Sequence, residues 1–181
     1  MKIIKKILLA IGILIFLILV SALFIKKEYA VEREIIINKP ASEVYDYVRI
    51  LRNQNAFSTF AKKDPNMKSV YTGIDGEAGS VFAWEGNNEV GSGEQKITKL
   101  TKDKRIDIEM HFIDPFESYA PAYFTFENLS AMQTKVKWGM NGKMAYPLNF
   151  MRLFFDMEEM IGKEYEASLQ NLKLILEKEQ Q

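Results

Sequence analysis

Hydrophobic and polar positions follow one another along this chain in three different ways. Residues 7–25 are uncharged and almost entirely apolar. From about residue 67 to residue 140, apolar and polar residues alternate with the period of two that is typical of half-buried strands. Over residues 156–177 the apolar positions recur every three or four residues, which is the period of a helix. The pattern therefore predicts an apolar N-terminal helix, a series of strands and a long C-terminal helix.

The alternating region predicts six strands in direct succession. The clearest alternation is in Arg105–Phe112, where every even position is apolar. Turn residues such as Asp75-Gly76 and the segment 128–132 separate the runs. The six predicted strands are Met67–Tyr71, Ser80–Glu85, Gly93–Leu100, Arg105–Phe112, Tyr119–Glu127 and Thr134–Met140. Successive strands with short connections are typical of an antiparallel meander.

One further strand and two short helices are predicted before this series. The isoleucine-rich run Arg33–Ile37 predicts a strand, preceded by a short charged bridge over residues 28–33. The following Asn38-Lys39-Pro40 ends it, because proline has no N–H to donate to a neighbouring strand. Apolar residues at helical spacing then predict short helices over residues 41–48 and 52–60.

The C-terminal helix decides the fold class. It carries an apolar stripe formed by Ile161, Tyr165, Leu169, Leu172 and Leu176. Such a stripe needs an apolar partner, and one face of a curved antiparallel sheet supplies it. We therefore predict an α+β helix-grip fold, in which a seven-stranded antiparallel sheet wraps around the long C-terminal helix. Two short helices after the first strand close one end, and a cavity lies between sheet and helix.

The apolar run from Ile7 to Ile25 predicts a transmembrane helix that precedes this domain. A helix of 19 uncharged residues rises roughly 28 Å, which is close to the thickness of a bilayer core. A cleaved signal peptide is the alternative, with Val20-Ser21-Ala22 as a small-residue cleavage site. The anchor is favoured because the run is long for a signal peptide and continues to Lys26-Lys27.

These observations divide the chain into an anchor with basic flanks, residues 1–27, and a ligand-binding domain, residues 28–181. The protein is then expected in a membrane as a single-pass chain. Three lysines precede the apolar run and two follow it. This small excess favours a cytoplasmic N-terminus and a domain on the non-cytoplasmic side.

Charge and composition exclude several classes of function. Five of the 24 basic residues and none of the 24 acidic residues lie in residues 1–27, so the domain has 19 basic and 24 acidic residues and a net charge of −5. A domain of this sign is a poor nucleic-acid binder, and we expect no nucleic-acid partner. The chain has no cysteine, which excludes disulfides, thiolate metal sites and a cysteine nucleophile.

No catalytic residue, metal site or cofactor is predicted. His111 is the only histidine, and its strand position places it with acidic residues on the polar face of the sheet. The acidic residues Asp156, Glu158 and Glu159 suit the first turn of a helix, where its dipole favours negative charge. Gly91-Ser92-Gly93 lacks the third glycine and the following helix of a dinucleotide-binding loop, so it predicts a turn or bulge.

The cavity has two groups of candidate lining residues. Strand parity and aromatic character select side chains from the sheet, and the apolar segment before the last helix supplies candidates for the cavity mouth. The sheet candidates are Phe82, Trp84, Gln95, Ile108, Met110, Tyr123, Trp138 and Met140. The mouth candidates are Tyr146, Phe150 and Phe154, for which packing against the sheet rim, or beside the bilayer, is an equal alternative.

Several stretches of the chain, in this order and spacing, resemble the START-like or SRPBCC superfamily. They include VEREIIINKPASEVYDYV, FAWEGNNEVGSGEQKIT, RIDIEMHF, TKVKWGMNG and MEEMIGKEYEASLQNLKLILE. Within the superfamily the chain is most similar to a membrane-anchored subgroup of the polyketide cyclase/dehydrase and lipid transport family. The resemblance implies a seven-stranded sheet around the last helix and a cavity for small apolar or amphipathic ligands. It implies no particular reaction.

A membrane-tethered domain that binds a lipid or other small hydrophobic molecule is therefore the leading hypothesis. An enzyme of the cyclase, dehydratase or hydrolase type is the alternative. It requires polar groups that face the cavity near one another, and the first candidates are Glu85, Gln95, Tyr123 and Tyr146. A protein-interaction module with a filled core is the third interpretation.

Overall fold

The computed structural model describes residues 2–178. Their order along the chain is helix, strand, three short helices, six strands, a short 3-10 helix and a long helix. The helices are α1 Lys2–Ala22, α2 Ala41–Val48, α3 Leu51–Phe57, α4 Thr59–Lys62 and α5 Met157–Lys178, with the 3-10 helix Leu148–Leu153 before α5. The strands are β1 Glu28–Ile37, β2 Lys68–Thr72, β3 Val81–Glu85, β4 Ser92–Thr101, β5 Arg105–Asp114, β6 Ser118–Ser130 and β7 Gln133–Lys143.

The seven strands form one antiparallel sheet in the order β1-β7-β6-β5-β4-β3-β2. Six of them form the predicted meander, and β1 joins its edge beside β7. The first strand begins at Glu28, not at Arg33, so the expectation of a charged bridge over residues 28–33 is wrong. Glu28 pairs with Lys143 and Ile37 with Thr134. The charged side chains of this strand are tolerated because Glu28, Glu32 and Glu34 point to the exposed face.

The long helix α5 packs against the inner face of the sheet, as the apolar stripe predicts. Tyr165, Leu169, Leu172 and Leu176 are buried there. Burial of each leucine contributes about 1.5–3 kcal/mol relative to exposure. Gly162 brings the helix close to β1, because a Cβ at this position would overlap the guanidinium of Arg33.

The short helices close one end of the grip. Val44, Tyr45, Val48 and Leu51 are buried, and the ring of Tyr45 meets that of Phe126 on β6 edge to face, with 5.6 Å between centroids. The second predicted helix is divided at Ser58, which is extended and therefore cannot continue the helix.

The division at Ser58 places the following turn against α5. The Thr59 amide donates to the Ser168 hydroxyl at 2.9 Å, and the Thr59 hydroxyl donates to the Glu164 carboxylate at 2.6 Å. Lys63 forms an ion pair of 2.6 Å with the same carboxylate. Polar contacts thus hold α4 to the side of the long helix.

The antiparallel registers place several connections at the same end of the sheet. Glu28 of β1 lies beside Lys143 of β7, Ser92 of β4 lies beside Asp114 of β5, and Glu85 of β3 lies beside Ser92. The end of α1, the β7–α5 connection, the β5–β6 turn and the β3–β4 loop therefore lie together. We call this the α1 end, and the end closed by α2 and α3 the opposite end.

Helix α1 is exposed along almost its whole length, with only Ala22 buried. Its 21 residues have the length and composition of a membrane-spanning helix, a description that also fits a signal sequence. The first residues after the helix lead directly into β1. The helix is therefore joined to the sheet by a segment of five residues, 23–27.

Candidate functional site: the cavity between the sheet and the long helix

A cavity of about 420 Å³ lies between the inner face of the sheet and α5. Its walls are mostly apolar. The sheet contributes Phe82, Trp84, Gln95, Ile108, Met110, Phe112, Ala122, Phe124, Trp138 and Met140. The helices contribute Gln54, Asn55, Phe60, Ala61, Met157, Ile161 and Tyr165, and the connections contribute Ser58, Met67, Glu89, Val90 and Pro115.

The cavity exists because the centre of the sheet carries small side chains on its inner face. Ala122 of β6 pairs with Met140 of β7, and the next inward residue on β6 is the much larger Phe124. The alanine leaves a volume that its neighbours do not fill. Since close packing is the rule in protein interiors, an unfilled apolar space of this size is a candidate binding site.

Aromatic rings form two walls of this space. On one side Trp138 stacks on Tyr165 of α5 with 3.9 Å between ring centroids, and on Phe124 with 4.9 Å. On the other side Phe82 stacks on Trp84 at 5.9 Å. Gly93 lets the Trp84 ring lie against β4, because a Cβ at this position would be 2.7 Å from the ring. Both walls present flat apolar surface to an occupant.

A pair of amides is the main polar feature of the wall. The side chain of Gln95 donates to the Gln54 carbonyl at 3.0 Å, and Gln54 in turn donates to the backbone carbonyl of Val48 at 2.9 Å. Gln54 is buried. This chain of hydrogen bonds fixes the orientation of both amides, so they can donate to or accept from a ligand without reorganisation.

The titratable groups of the wall do not form an acid–base pair of a recognisable kind. Burial raises the pKa of the Tyr165 phenol well above its usual range, so its hydroxyl stays protonated at neutral pH. Glu89 is the only carboxylate among the described residues that line the cavity, and it is exposed. The arrangement suits binding and orientation of an apolar molecule with a hydrogen-bonding group.

Seven of the eleven residues predicted to line a cavity lie along this one. They are Phe82, Trp84, Gln95, Ile108, Met110, Trp138 and Met140. All are on the inner face of the sheet.

Tyr123 lies on the other face of the sheet, which corrects its predicted position. Its hydroxyl donates to Glu32 at 2.6 Å, and its ring lies over Gly139, where a Cβ would collide with it. Successive residues of a strand face opposite sides, so Tyr123 and the inward Phe124 cannot share a face. The hydrogen bond to Glu32 and burial raise the pKa of the Tyr123 phenol, while hydrogen bonds from Tyr123 and Lys137 lower the pKa of Glu32.

The mouth candidates Tyr146, Phe150 and Phe154 are not among the residues that line the cavity, so this expectation is also corrected. They lie in the β7–α5 connection, which packs beside the end of α1. The Tyr146 hydroxyl is 3.4 Å from the carbonyl oxygen of Leu19, and the rings of Phe150 and Phe154 contact each other at 5.3 Å. Met157, at the first position of α5, reaches the cavity instead.

The sequence-based selection missed the helical side of the cavity. Gln54 is on α3, and Met157, Ile161 and Tyr165 are spaced by four on α5. Helical periodicity was the available signal, because residues at this spacing share one face. It identified the stripe of α5 but not which of its residues stay uncovered by the sheet.

The other residues considered for chemistry in the sequence lie outside the cavity and take part in local contacts. His111 is on the outer face, where its ring stacks on Tyr119 at 4.1 Å and lies 3.2 Å from Glu117. Asp156 accepts a hydrogen bond of 3.0 Å from the Glu159 amide at the start of α5. Gly91 has a φ of +66°, and the β4–β5 register shifts at Ser92/Gly93, as expected for a bulge. Among residues 2–178, no cluster of three metal-binding side chains occurs.

A model of the family described as "Polyketide cyclase / dehydrase and lipid transport" matches residues 29–177. The chain belongs to this family. The match begins at the second residue of β1 and ends near the last described turn of α5, so it includes the sheet and every wall of the cavity. Membership of the polyketide cyclase/dehydrase and lipid transport family also places the chain in the START-like, or SRPBCC, superfamily.

Solved structures share the helix-grip fold of this family member. A protein from Mesorhizobium loti has a TM-score of 0.60 and 13% identity, covering 83% of this chain and 98% of that one. Norcoclaurine synthase from Thalictrum flavum, solved with dopamine and hydroxybenzaldehyde, has a TM-score of 0.57 and 10% identity, covering 83% and 87%. The Aha1 dimer from Colwellia psychrerythraea has a TM-score of 0.55 and 16% identity, covering 80% and 93%. A search of curated protein sequences found no match. Identities this low show the fold alone.

Proposed function

We propose that this protein is a membrane-anchored domain that binds a lipid or another small hydrophobic molecule in the cavity between its sheet and α5. The observation that carries the proposal is the cavity itself. Its volume of about 420 Å³ falls in the range of small-molecule sites, and its walls combine apolar surface with a few oriented polar groups. The amide pair of Gln54 and Gln95 would bind the polar group of an amphipathic ligand.

The alternatives have weaker support. The family description includes cyclases and dehydrases, and norcoclaurine synthase was solved with two small aromatic molecules. An enzyme, however, needs an acid or base poised against the substrate. Among the described cavity residues the ionisable groups are the buried Tyr165 and the exposed Glu89. An interaction module with a filled core fits poorly with a cavity of this volume.

We further propose that α1 is retained as an anchor. The carboxamide of Asn149, which is fully buried, donates to the carbonyl oxygens of Ala22 at 2.7 Å and of Ile25 at 2.9 Å. Cleavage after Ala22 would remove the first acceptor and free the second from its fixed position. A buried amide that loses its partner costs about 1–3 kcal/mol. These contacts favour an anchor over a cleaved signal peptide.

The tryptophans provide a direct test of the cavity. The chain has two, and both Trp84 and Trp138 line the cavity. We would titrate the full chain, reconstituted in unbrominated lipid vesicles, with 9,10-dibromostearic acid. Bromine quenches tryptophan emission only near contact, so entry of the probe into the cavity should quench the emission with saturation.

Two variants separate cavity binding from partition into the bilayer. Ala122→Phe places a ring in the cavity and should abolish saturable quenching. Thr125→Phe adds the same ring to the outer face of the same strand, beside Arg105 and Lys137, and should leave quenching unchanged. Equal quenching of both variants would overturn the proposal that the ligand occupies this cavity.

A further inference from the structure

The end of α1 has a fixed position against the domain. Asn149 binds the carbonyl oxygens of Ala22 and Ile25, as described above, and the Arg152 guanidinium donates to the carbonyl oxygens of Lys26 and Glu28 at 2.8 Å each. These backbone carbonyls belong to the last residue of α1, to the segment that follows it and to the first residue of β1. Side chains of the 3-10 helix therefore bind the backbone on both sides of this junction, including the Ala22 carbonyl at the end of α1. The domain cannot turn freely about the end of the helix.

Large apolar side chains are exposed around this junction. Leu23 and Phe24 follow α1, and Leu153, Phe154 and Phe155 belong to the connection that α1 packs against. Phe154 is 70% and Phe24 is 85% exposed. Phe116, in the β5–β6 turn, is exposed at the same end of the sheet. Clusters of exposed apolar residues in one place mark an interaction surface.

The cavity opens at this same end. Its walls there come from Glu89 and Val90 in the β3–β4 loop, from Pro115 in the β5–β6 turn and from Met157 at the start of α5. Glu89 and Pro115 are exposed, so the cavity reaches the surface between them. At the opposite end, Tyr45 of α2 and Phe57 of α3 are buried and close the fold.

We propose that the α1 end of the domain rests on the surface of the lipid bilayer, with Phe116, Leu153, Phe154 and Phe155 in its interfacial layer. The cavity would then exchange its occupant directly with the membrane. This inference rests on the proposed anchor and cavity. This surface fits a lipid bilayer because it continues from a helix with the length and composition of a membrane span. Lys26 and Lys27, which follow that helix, mark the level of the headgroups.

The absence of cysteine from the chain makes site-specific labelling straightforward. We would introduce one cysteine at a time into the full chain, label it with the environment-sensitive dye NBD, and reconstitute the protein in phosphatidylcholine vesicles with and without brominated chains. The test variants are Phe116→Cys and Phe154→Cys. Leu129→Cys is the matched control, because Leu129 is an exposed apolar residue near the end of β6, at the opposite end of the sheet. Ile15→Cys, in the middle of α1, reports the anchor itself.

The inference predicts blue-shifted NBD emission at positions 116 and 154, with quenching by brominated lipid several-fold stronger than at position 129. Quenching at position 15 without quenching at 116 and 154 would overturn the inference and leave the anchor in place. No quenching at position 15 would remove the anchor and this inference together, while the tryptophan titration would still test the cavity separately. A blue shift at 116 and 154 that brominated lipid does not quench would mean that protein covers the surface, and would overturn the assignment to lipid.

Discussion

The side-chain amide of Asn149 lies 2.7 Å from the carbonyl oxygen of Ala22, the last residue of α1. Both residues are fully buried. The contact joins two parts of the chain that are 127 residues apart, and it makes the end of the apolar helix part of the folded domain. The position of the domain relative to α1 is thus set by a buried polar contact, which tolerates little rearrangement.

Replacement of Asn149 by alanine should destabilise the full chain by about 1–3 kcal/mol, because the carbonyl oxygens of Ala22 and Ile25 would lose their buried donor. Chemical denaturation followed by circular dichroism in a mild detergent measures this change. Asn141→Ala is the control, since Asn141 is exposed on the outer face of β7. If the two variants are equally stable, the end of α1 is not held as the structure indicates.

Replacement of Trp138 by leucine should weaken binding of dibromostearic acid, with Trp84 as the remaining reporter. The indole of Trp138 forms part of the cavity wall between Phe124 and Tyr165. Lys137→Ala is the matched control, because the neighbouring Lys137 faces the other side of the sheet and pairs with Glu32 at 2.9 Å. The same loss of affinity in both variants would show that the inner face of β7 does not contact the ligand.

The amide pair predicts selectivity for ligands with a polar group. Replacement of Gln95 by leucine removes its hydrogen bond to Gln54 while keeping a side chain of similar volume. The variant also cannot form a hydrogen bond with the hydroxyl of a brominated fatty alcohol. Loss of one such bond costs about 0.5–1.5 kcal/mol, which should weaken binding of the alcohol by roughly 2- to 10-fold. Binding of a brominated alkane should stay the same or improve.

Gln133→Leu provides the control for this measurement. Gln133 is exposed at the start of β7, at the end of the sheet away from the cavity opening. Tryptophan quenching by the alcohol and the alkane would be compared in both variants. Equal loss of affinity for the two ligands in Gln95→Leu would argue against a polar contact at this position.

Glu164 predicts a loss of stability in acid. Burial alone would raise its pKa, but hydrogen bonds from Lys63 and Thr59 outweigh burial and lower the pKa below its ordinary value of 4.5. Between the pKa of Glu164 in the folded protein and its ordinary value, the Glu164 carboxyl therefore binds fewer protons in the folded protein than in the unfolded chain. The stability that Glu164 contributes is fully present above about pH 4.5 and is lost as the pH falls through the lower pKa of the folded state.

Thermal unfolding between neutral pH and pH 3 tests this prediction. Glu164→Gln should be less stable than the wild type at neutral pH and should lose less stability on acidification. Glu166→Gln, an exposed position on the same helix, should follow the wild type. A Glu164→Gln curve parallel to the wild type would mean that the contacts with Lys63 and Thr59 do not stabilise the fold.

Periodicity predicted the fold from the sequence wherever a segment has one buried face. Alternation in Arg105–Phe112 identified both the strand and its inner residues, because Ile106 and Ile108 are buried and Met110 and Phe112 line the cavity. The stripe of α5 was equally informative. Its predicted range of about 156–177 differs little from the observed Met157–Lys178.

The features that periodicity missed depend on partners distant in sequence. The first half of β1 is charged, and its pairing with β7 joins residues more than 100 positions apart, such as Glu28 and Lys143. Tyr146 belongs to an apolar segment that was expected at the cavity, yet it contacts α1. Composition marks such a segment as needing an apolar neighbour, but it does not distinguish a cavity from a helix 127 residues away.

Native mass spectrometry of the purified full chain, released from detergent, tests the central claim most directly. We expect the wild type to carry a bound hydrophobic molecule as an additional mass, Thr125→Phe to carry the same mass, and Ala122→Phe to lack it. Lipid bound only to α1 would appear equally in all three proteins. A wild-type spectrum without bound mass, together with no saturable quenching of Trp84 and Trp138 by added dibromostearic acid, would contradict the proposal that the cavity binds a hydrophobic molecule.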